Sequence, residues 1–147
     1  MTTINKTKIV PYSPQKMYEL VNQIEAYPEF LPWCSSSQIL HRNEDEVKAS
    51  LSISAHGFTK PFTTHNLLQK NKMIEIRLID GPFKHLEGFW RFESLDEDKQ
   101  CQIFFDIEFE FSNKLLSFTL TPLFSQIADT MVDAFCSRAE KLYGKPD

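Results

Sequence analysis

The sequence has few glycines, no paired cysteine motif and no excess of positive charge, and each absence excludes a class of protein. Only 4 of the 147 residues are glycine, so no glycine-rich loop of the kind that cradles phosphates or dinucleotides is present. The three cysteines, Cys34, Cys101 and Cys136, form no CxxC pair, which argues against a disulfide framework. A formal net charge of -4 and a pI of about 5.6 give no general attraction to nucleic acid or to anionic lipids.

Long apolar runs are absent as well. No stretch approaches the roughly 18 consecutive apolar residues of a membrane-spanning helix. The first ten residues, MTTINKTKIV, have neither the apolar core of a signal peptide nor an arginine-rich presequence. Together with the unpaired cysteines, this predicts a cytoplasmic protein, and the length predicts one domain over residues 1–147.

Aromatic residues are the abundant class. The chain has 13 Phe, 4 Tyr and 2 Trp, which predicts that a large apolar space is lined or filled by rings.

Two segments have the pattern of amphipathic helices. Ser13-Pro14 combines a capping hydroxyl with a proline at the first helical position, and apolar residues follow at helical spacing until Pro28. Thr121-Pro122 has the same signature and predicts the start of a longer C-terminal helix. Whether residues 113–120 add an earlier helical piece, kinked at Pro122, stays open. The apolar stripe of the C-terminal helix contains Leu123, Ile127, Met131, Phe135 and Leu142.

Between the helices the period of the apolar residues changes to two, as in half-buried strands. The clearest case is the segment 101–111, which predicts one apolar face. Turn signals separate successive strands as hairpins at residues 43–45, 56–57, 71–72, 80–82 and 96–98. With a first strand at residues 4–10, this predicts an α+β fold in which a curved antiparallel sheet of about seven strands wraps around the long C-terminal helix. A gap between the two layers is where a ligand would bind.

Catalytic and metal-binding patterns are missing. The histidines, His41, His56, His65 and His85, have no HxH or HxxxH spacing, and Cys34 is interpreted as a small buried hydrophobe rather than a reactive thiol. The alternating acids of the last strand are interpreted as its solvated side. The sequence therefore predicts no catalytic residue, no metal ligand and no enzyme; a cyclase or hydrolase that uses the same cavity is the alternative.

One tract is unusually dense in turn residues and aromatics: GPFKHLEGFWRF, residues 81–92. Gly81-Pro82 is predicted to turn the chain and Gly88 to allow close backbone approach. The aromatic residues predict an apolar flap at the mouth of a pocket, with plain core packing as the other interpretation.

Four blocks of the sequence resemble a known family. They are YPEFLPWC at 27–34, GPFKHLEGFWRF at 81–92, FEFSNKLL at 109–116 and MVDAFCSRAEKLYG at 131–144, and together they span nearly the whole chain. In these blocks the chain is similar to the coenzyme Q-binding, START-like family of the polyketide cyclase and lipid transport superfamily. One branch of that family consists of bacterial ribosome association toxins.

The resemblance implies a helix-grip fold with a hydrophobic tunnel, which holds ubiquinone without catalysis and supports respiration. No cofactor is required, and ubiquinone is the bound ligand. For the toxin branch, the resemblance implies binding to the large ribosomal subunit, which blocks subunit joining.

The leading hypothesis is therefore a carrier that holds ubiquinone or a similar isoprenoid lipid in a hydrophobic cavity. The candidate ligand contacts are Trp33, Phe83, Leu86, Trp90, Phe105, Met131 and Phe135. The alternative is a protein that docks on the ribosome, for which Lys60, Lys70, Lys72, Arg77 and Lys84 form a predicted basic edge around the hairpins. Neither hypothesis requires DNA, or more than transient contact with a membrane.

Overall fold

A computed structural model describes residues 1–55 and 58–145. Its main layer is a seven-stranded antiparallel sheet with the strand order β1-β7-β6-β5-β4-β3-β2. Strands β2 to β7 follow one another as hairpins, and β1 closes the far edge by pairing with β7. The strands are β1 Thr2–Val10, β2 Cys34–Arg42, β3 Glu46–Ala55, β4 Phe58–Gln69, β5 Met73–Asp80, β6 Phe83–Leu95 and β7 Gln100–Phe111.

The turn chemistry of the sequence sets these hairpins. Asn43 Oδ1 accepts hydrogen bonds from the backbone N–H of Asp45 at 2.8 Å and of Glu46 at 3.0 Å, as an Asx turn requires. Asn71 has a φ of 63° and Gly81 a φ of 147°, conformations that asparagine and glycine tolerate best. The predicted turn at His56-Gly57 lies outside the described residues.

The first helix, α1, covers Pro14–Asn22 and begins where it was predicted. Ser13 Oγ accepts a hydrogen bond from the Lys16 N–H at 3.2 Å, which satisfies one of the free donors at the helix start. The prediction that the helix continues up to Pro28 is wrong. The backbone leaves the helical conformation at Gln23, and a short 3₁₀ helix, Ile24–Glu29, contains the proline.

The long helix, α2, covers Lys114–Tyr143 and starts seven residues before Thr121. Its cap is Asn113, whose Oδ1 accepts a hydrogen bond from the Leu116 N–H at 2.8 Å. Pro122 lies inside the helix. Pro122 and Phe118 are both exposed, so water can reach the Phe118 carbonyl that proline leaves without its helical partner.

The core lies between the inner face of the sheet and α2. The apolar face predicted for residues 101–111 is confirmed, since Ile103, Phe105 and Phe109 are each at most 2% exposed. From the helix, Phe124, Val132 and Phe135 and their buried neighbours complete the layer. The predicted α+β helix-grip fold is therefore confirmed. No helix in the described ranges is long and apolar enough to cross a membrane.

Candidate functional site

A cavity with a volume of about 80 Å³ lies between α2 and the inner face of the sheet. The backbone of α2 lies closest to β1 and β7, which leaves space between the helix and strands β3 to β6. Every layer of the fold contributes to its wall. The lining residues are Ile24, Tyr27, Trp33, Leu51, Phe62, Thr64, Asn66, Ile76, Leu86, Trp90, Phe105, Ile107, Phe124, Ile127, Ala128, Met131 and Phe135.

Six of the seven predicted ligand contacts line this cavity: Trp33, Leu86, Trp90, Phe105, Met131 and Phe135. The structure therefore brings together residues from β6, β7, α2 and the segment before β2. Trp33 and Met131 are half-buried, whereas the other four are at most 3% exposed.

The seventh predicted contact, Phe83, is not part of the lining. It lies at the start of β6, in a cluster of rings that fills the end of the layer beside the cavity. Its ring centroid is 4.6 Å from that of Phe111 and 5.2 Å from that of Phe124. Phe83 is therefore a core residue here, because aromatic neighbours occupy the space that a ligand would need.

Trp90 forms the centre of the aromatic wall. Its ring centroid is 4.4 Å from that of Phe105 and 5.2 Å from that of Phe135, the latter pair being edge-on. Such ring pairs stabilise the fold by more than the burial of their apolar surface alone would. Trp90 consequently serves as core and as cavity wall at once.

The prediction that residues 81–92 form an apolar flap is wrong. Most of this tract belongs to β6, which is paired with β5 on one side and β7 on the other. A strand paired along both edges is among the most firmly held parts of a sheet. The aromatic density of the tract reflects alternate inward positions, occupied by Leu86, Trp90 and Phe92.

Two polar residues inside the cavity were missed by the sequence reasoning. Thr64 is 5% exposed and Asn66 is 7% exposed, and both lie on the inward face of β4. Asn66 Oδ1 has no hydrogen-bond partner, an uncommon state for a buried amide oxygen. The alternation in β4 contained the signal, since Phe62, Thr64 and Asn66 occupy consecutive positions on one face.

Groups that could act as an acid or base do not line the cavity in the described part of the chain, apart from one tyrosine. The Tyr27 hydroxyl donates a hydrogen bond to the Val21 carbonyl oxygen. Burial raises the pKa of Tyr27 far above its ordinary value. Cys34 is 3% exposed, and burial raises the pKa of its thiol to about 11. At neutral pH this thiol is protonated and therefore a poor nucleophile.

A second group of titratable residues lies on the outer face of the sheet. His85 Nε2 is 3.0 Å from Glu108 Oε1 and 3.6 Å from Glu87 Oε1, and hydrogen bonding to His85 lowers the pKa of Glu108. His85, Glu87 and Glu108 each offer one possible ligand atom, and these three atoms are close enough together to bind one metal ion. The hydrogen bond between His85 and Glu108 accounts for the arrangement without an ion, so the absence of a metal site stays a prediction.

The five basic residues predicted to form one edge lie in three different places. Lys70 and Lys72 flank the β4–β5 turn, whereas Lys60 lies near the start of β4. A strand rises about 3.3 Å per residue, so the length of β4 places Lys60 about 30 Å from Lys70. Lys84 lies at the start of β6, at the same end as Lys60, and Arg77 lies within β5. The prediction of a single basic edge is wrong because successive hairpin turns fall at opposite ends of the sheet.

The chain matches a family model described as polyketide cyclase, dehydrase and lipid transport over residues 10–136. It is 45% identical over 143 residues to the ribosome association toxin RatA of Pseudomonas aeruginosa, covering 97% of this chain and 99% of that protein. It is 26% identical over 146 residues to the mitochondrial coenzyme Q-binding protein COQ10 homolog B of Xenopus laevis, covering 97% of this chain and 60% of that protein.

A solved structure of a START superfamily protein from Mycobacterium smegmatis has the same fold. It superposes with a TM-score of 0.79 at 22% sequence identity, covering 95% of this chain and 98% of that chain. At this level of identity the likeness concerns the fold alone.

Proposed function

The chain belongs to the polyketide cyclase, dehydrase and lipid transport family, in the branch that includes RatA and COQ10 proteins, and on that premise we propose that it holds an isoprenoid lipid. Ubiquinone, or a lipid of similar chemistry, occupies the cavity between the sheet and α2 and is bound without reaction. The protein thereby supports respiration as a carrier in the cytoplasm.

The observation that carries this proposal is the composition of the cavity wall. Apart from Tyr27, Thr64, Asn66 and the indole N–H groups of Trp33 and Trp90, the wall is apolar. Each methylene group transferred from water into such a wall contributes about 0.8 kcal/mol. A few isoprene units therefore suffice for micromolar affinity, which corresponds to about 8 kcal/mol.

The size of the cavity adds a requirement. About 80 Å³ is well below the roughly 300 to 1,000 Å³ of pockets that bury a drug-sized ligand. The lipid must therefore widen the gap as it enters. Met131 and Trp33 are half-buried members of the wall, and an unbranched methionine side chain adapts readily to a new neighbour.

The absence of acid–base groups supports binding without catalysis. Within the described residues, the cavity wall contains no His, Asp, Glu, Lys, Arg or Cys. The Tyr27 hydroxyl is engaged by the Val21 carbonyl. General acid–base catalysis needs a group that can exchange a proton near the working pH, and this wall supplies none.

We expect ubiquinone to be extracted from the protein when it is purified from a host that makes ubiquinone. The measurement is mass spectrometry of an organic extract, compared with an extract of an unrelated protein of similar size purified in the same way. Delipidated protein should then bind added ubiquinone in a titration. An extract without isoprenoid lipid, together with no binding in the titration, would refute the proposal.

A second function is favoured by the names of the relatives. Proteins called ribosome association toxin RatA from Pseudomonas aeruginosa and Escherichia coli are 45% and 43% identical to this chain, each over 97% of its length. We propose as a second candidate that this chain associates with the ribosome through its large subunit and blocks subunit joining. Lipid binding inside the fold and docking on its surface are compatible.

One groove offers a surface for contact with ribosomal RNA. It has a volume of about 660 Å³ and lies beside the β4–β5 turn, where Lys70, Lys72 and Arg91 line it. Glu93 and Asp98 also line it, so its cations exceed its carboxylates by one. The Arg91 guanidinium lies 4.1 Å from the Phe104 ring centroid, an arrangement that holds its charge in place.

Charge reversal at this groove tests the second candidate. In co-sedimentation with purified ribosomes, we expect the double variant Lys70→Glu, Lys72→Glu to bind at least about tenfold more weakly, because contacts to phosphates are lost. Binding of the unsubstituted protein should also fall steeply with salt. Lys84→Glu, Lys114→Glu is the matched control, with equal charge change at the opposite end of the sheet. Equal losses in both variants would contradict this location, and salt-insensitive binding would contradict contact through phosphates.

A further inference from the structure

The starting observation is a buried oxygen without a partner. Asn66 is 7% exposed, yet its Oδ1 accepts no hydrogen bond. Burying an amide carbonyl without a donor costs free energy that a folded chain normally recovers elsewhere. An amide left in this state within a cavity wall is suited to a donor that arrives with the ligand.

The neighbours of Asn66 cannot supply that donor. Its cross-strand partners are Val47 on β3 and Ile76 on β5, and both side chains are apolar. Thr64 lies two residues away on the same face of β4 and also lines the cavity, but its hydroxyl does not reach Asn66 Oδ1. The donor must therefore come from the contents of the cavity.

We propose that Asn66 recognises a ring hydroxyl of the bound lipid, so that the cavity prefers a quinol to the corresponding quinone. The inference rests on the proposed lipid-binding function. A quinone head group carries only acceptor oxygens, which satisfy the Asn66 amide N–H groups and leave the carbonyl unpaired in either orientation of the amide. A quinol hydroxyl donates to Oδ1 and can accept from an amide N–H at the same time.

The preference has a defined size. One hydrogen bond to an otherwise unpartnered buried group corresponds to about a tenfold difference in affinity. Tighter binding of the reduced form also raises the midpoint potential of the bound lipid. For a two-electron couple, a tenfold difference corresponds to about 30 mV.

The test is calorimetric titration of delipidated protein under argon with a ubiquinone that carries a saturated ten-carbon tail, in the oxidised and the chemically reduced form. We expect the unsubstituted protein to bind the quinol about tenfold more tightly. Asn66→Leu keeps the number of side-chain heavy atoms. Both forms lose the bond to the amide N–H, but the quinol should lose about tenfold more affinity than the quinone, which removes the preference. Asn22→Leu is the matched control: it makes the same change at another buried amide oxygen without a partner, outside the cavity, and should keep the preference.

The outcomes separate this inference from the function on which it rests. If neither form binds, the proposed function fails. If both forms bind equally, or if Asn66→Leu keeps the preference, the lipid-binding function stands and the inference is wrong, as it would be if a water molecule satisfied Oδ1. A thermal melt provides a second readout, since Asn66→Leu removes a buried unpaired oxygen and should raise the melting temperature of the ligand-free protein.

Discussion

Replacing Gly88 with alanine is expected to destabilise the protein by about 3 kcal/mol, because the added methyl group has no space. An ideal Cβ at Gly88 would overlap the Asp106 carbonyl oxygen and lie 2.9 Å from the Ile107 Cα. Both atoms belong to the backbone of β7, so no side-chain rotation relieves the overlap. For a domain of this size the melting temperature should fall by about 6 to 12 °C.

Gly144→Ala is the matched control for this experiment. Gly144 caps the end of α2 with a φ of 76°, and nothing lies within 4 Å of the position of an added Cβ. The cost there is the backbone strain of alanine at a φ of 76° and a ψ of 174°, about 1 to 3 kcal/mol, without any steric overlap. If Gly88→Ala melts within about 3 °C of the unsubstituted protein, the close approach of β6 and β7 is wrong.

Elements that depend on local chemistry were predictable from the sequence. The start of α1 follows from the Ser13 cap, and the inward face of β7 follows from strict alternation between residues 101 and 111. The start of α2 was not predictable, because Asn113 and Thr121 are both acceptable N-cap residues. Whether a proline begins a helix or lies within it depends on tertiary packing and on exposure of the carbonyl it leaves free.

Residues whose role depends on position in three dimensions were only partly predictable. Large apolar residues on inward faces were rightly expected near the helix, but sequence periodicity does not distinguish Trp90, at the cavity wall, from Phe83, inside a filled ring cluster. Asn66 was missed because polar residues occur on both faces of β4. Which face lies inward is decided by the pairing of β4 with β3 and β5.

Trp90→Ala would test the cavity poorly, since Trp90 is both wall and core. Removing the indole would take away contact area for a ligand and at the same time widen a small cavity, and the two effects on affinity have opposite signs. Ala128 offers a cleaner experiment. It is 2% exposed and lines the cavity from α2, so a larger apolar side chain at this position fills the space that a ligand would occupy.

Ala128→Leu is expected to raise the stability of the ligand-free protein and to abolish most of its lipid binding. Filling a cavity commonly adds about 0.5 to 2 kcal/mol to the free energy of unfolding. The three added carbon atoms displace about as many methylene groups of the ligand, at about 0.8 kcal/mol each, so affinity should fall about fiftyfold. Thermal melts and titration with ubiquinone measure the two effects separately.

The opposite signs of these two effects make the experiment decisive, because partial unfolding would lower stability and binding together. Ala134→Leu is the matched control: it makes the same change on the same helix, at a half-buried position that does not line the cavity, and leucine and alanine are both good helix formers. It should leave affinity within about threefold of the unsubstituted protein. Unchanged binding by Ala128→Leu would instead mean that the lipid binds elsewhere. Equal losses in both variants would mean that binding responds to any change in the packing of α2 rather than to filling of the cavity.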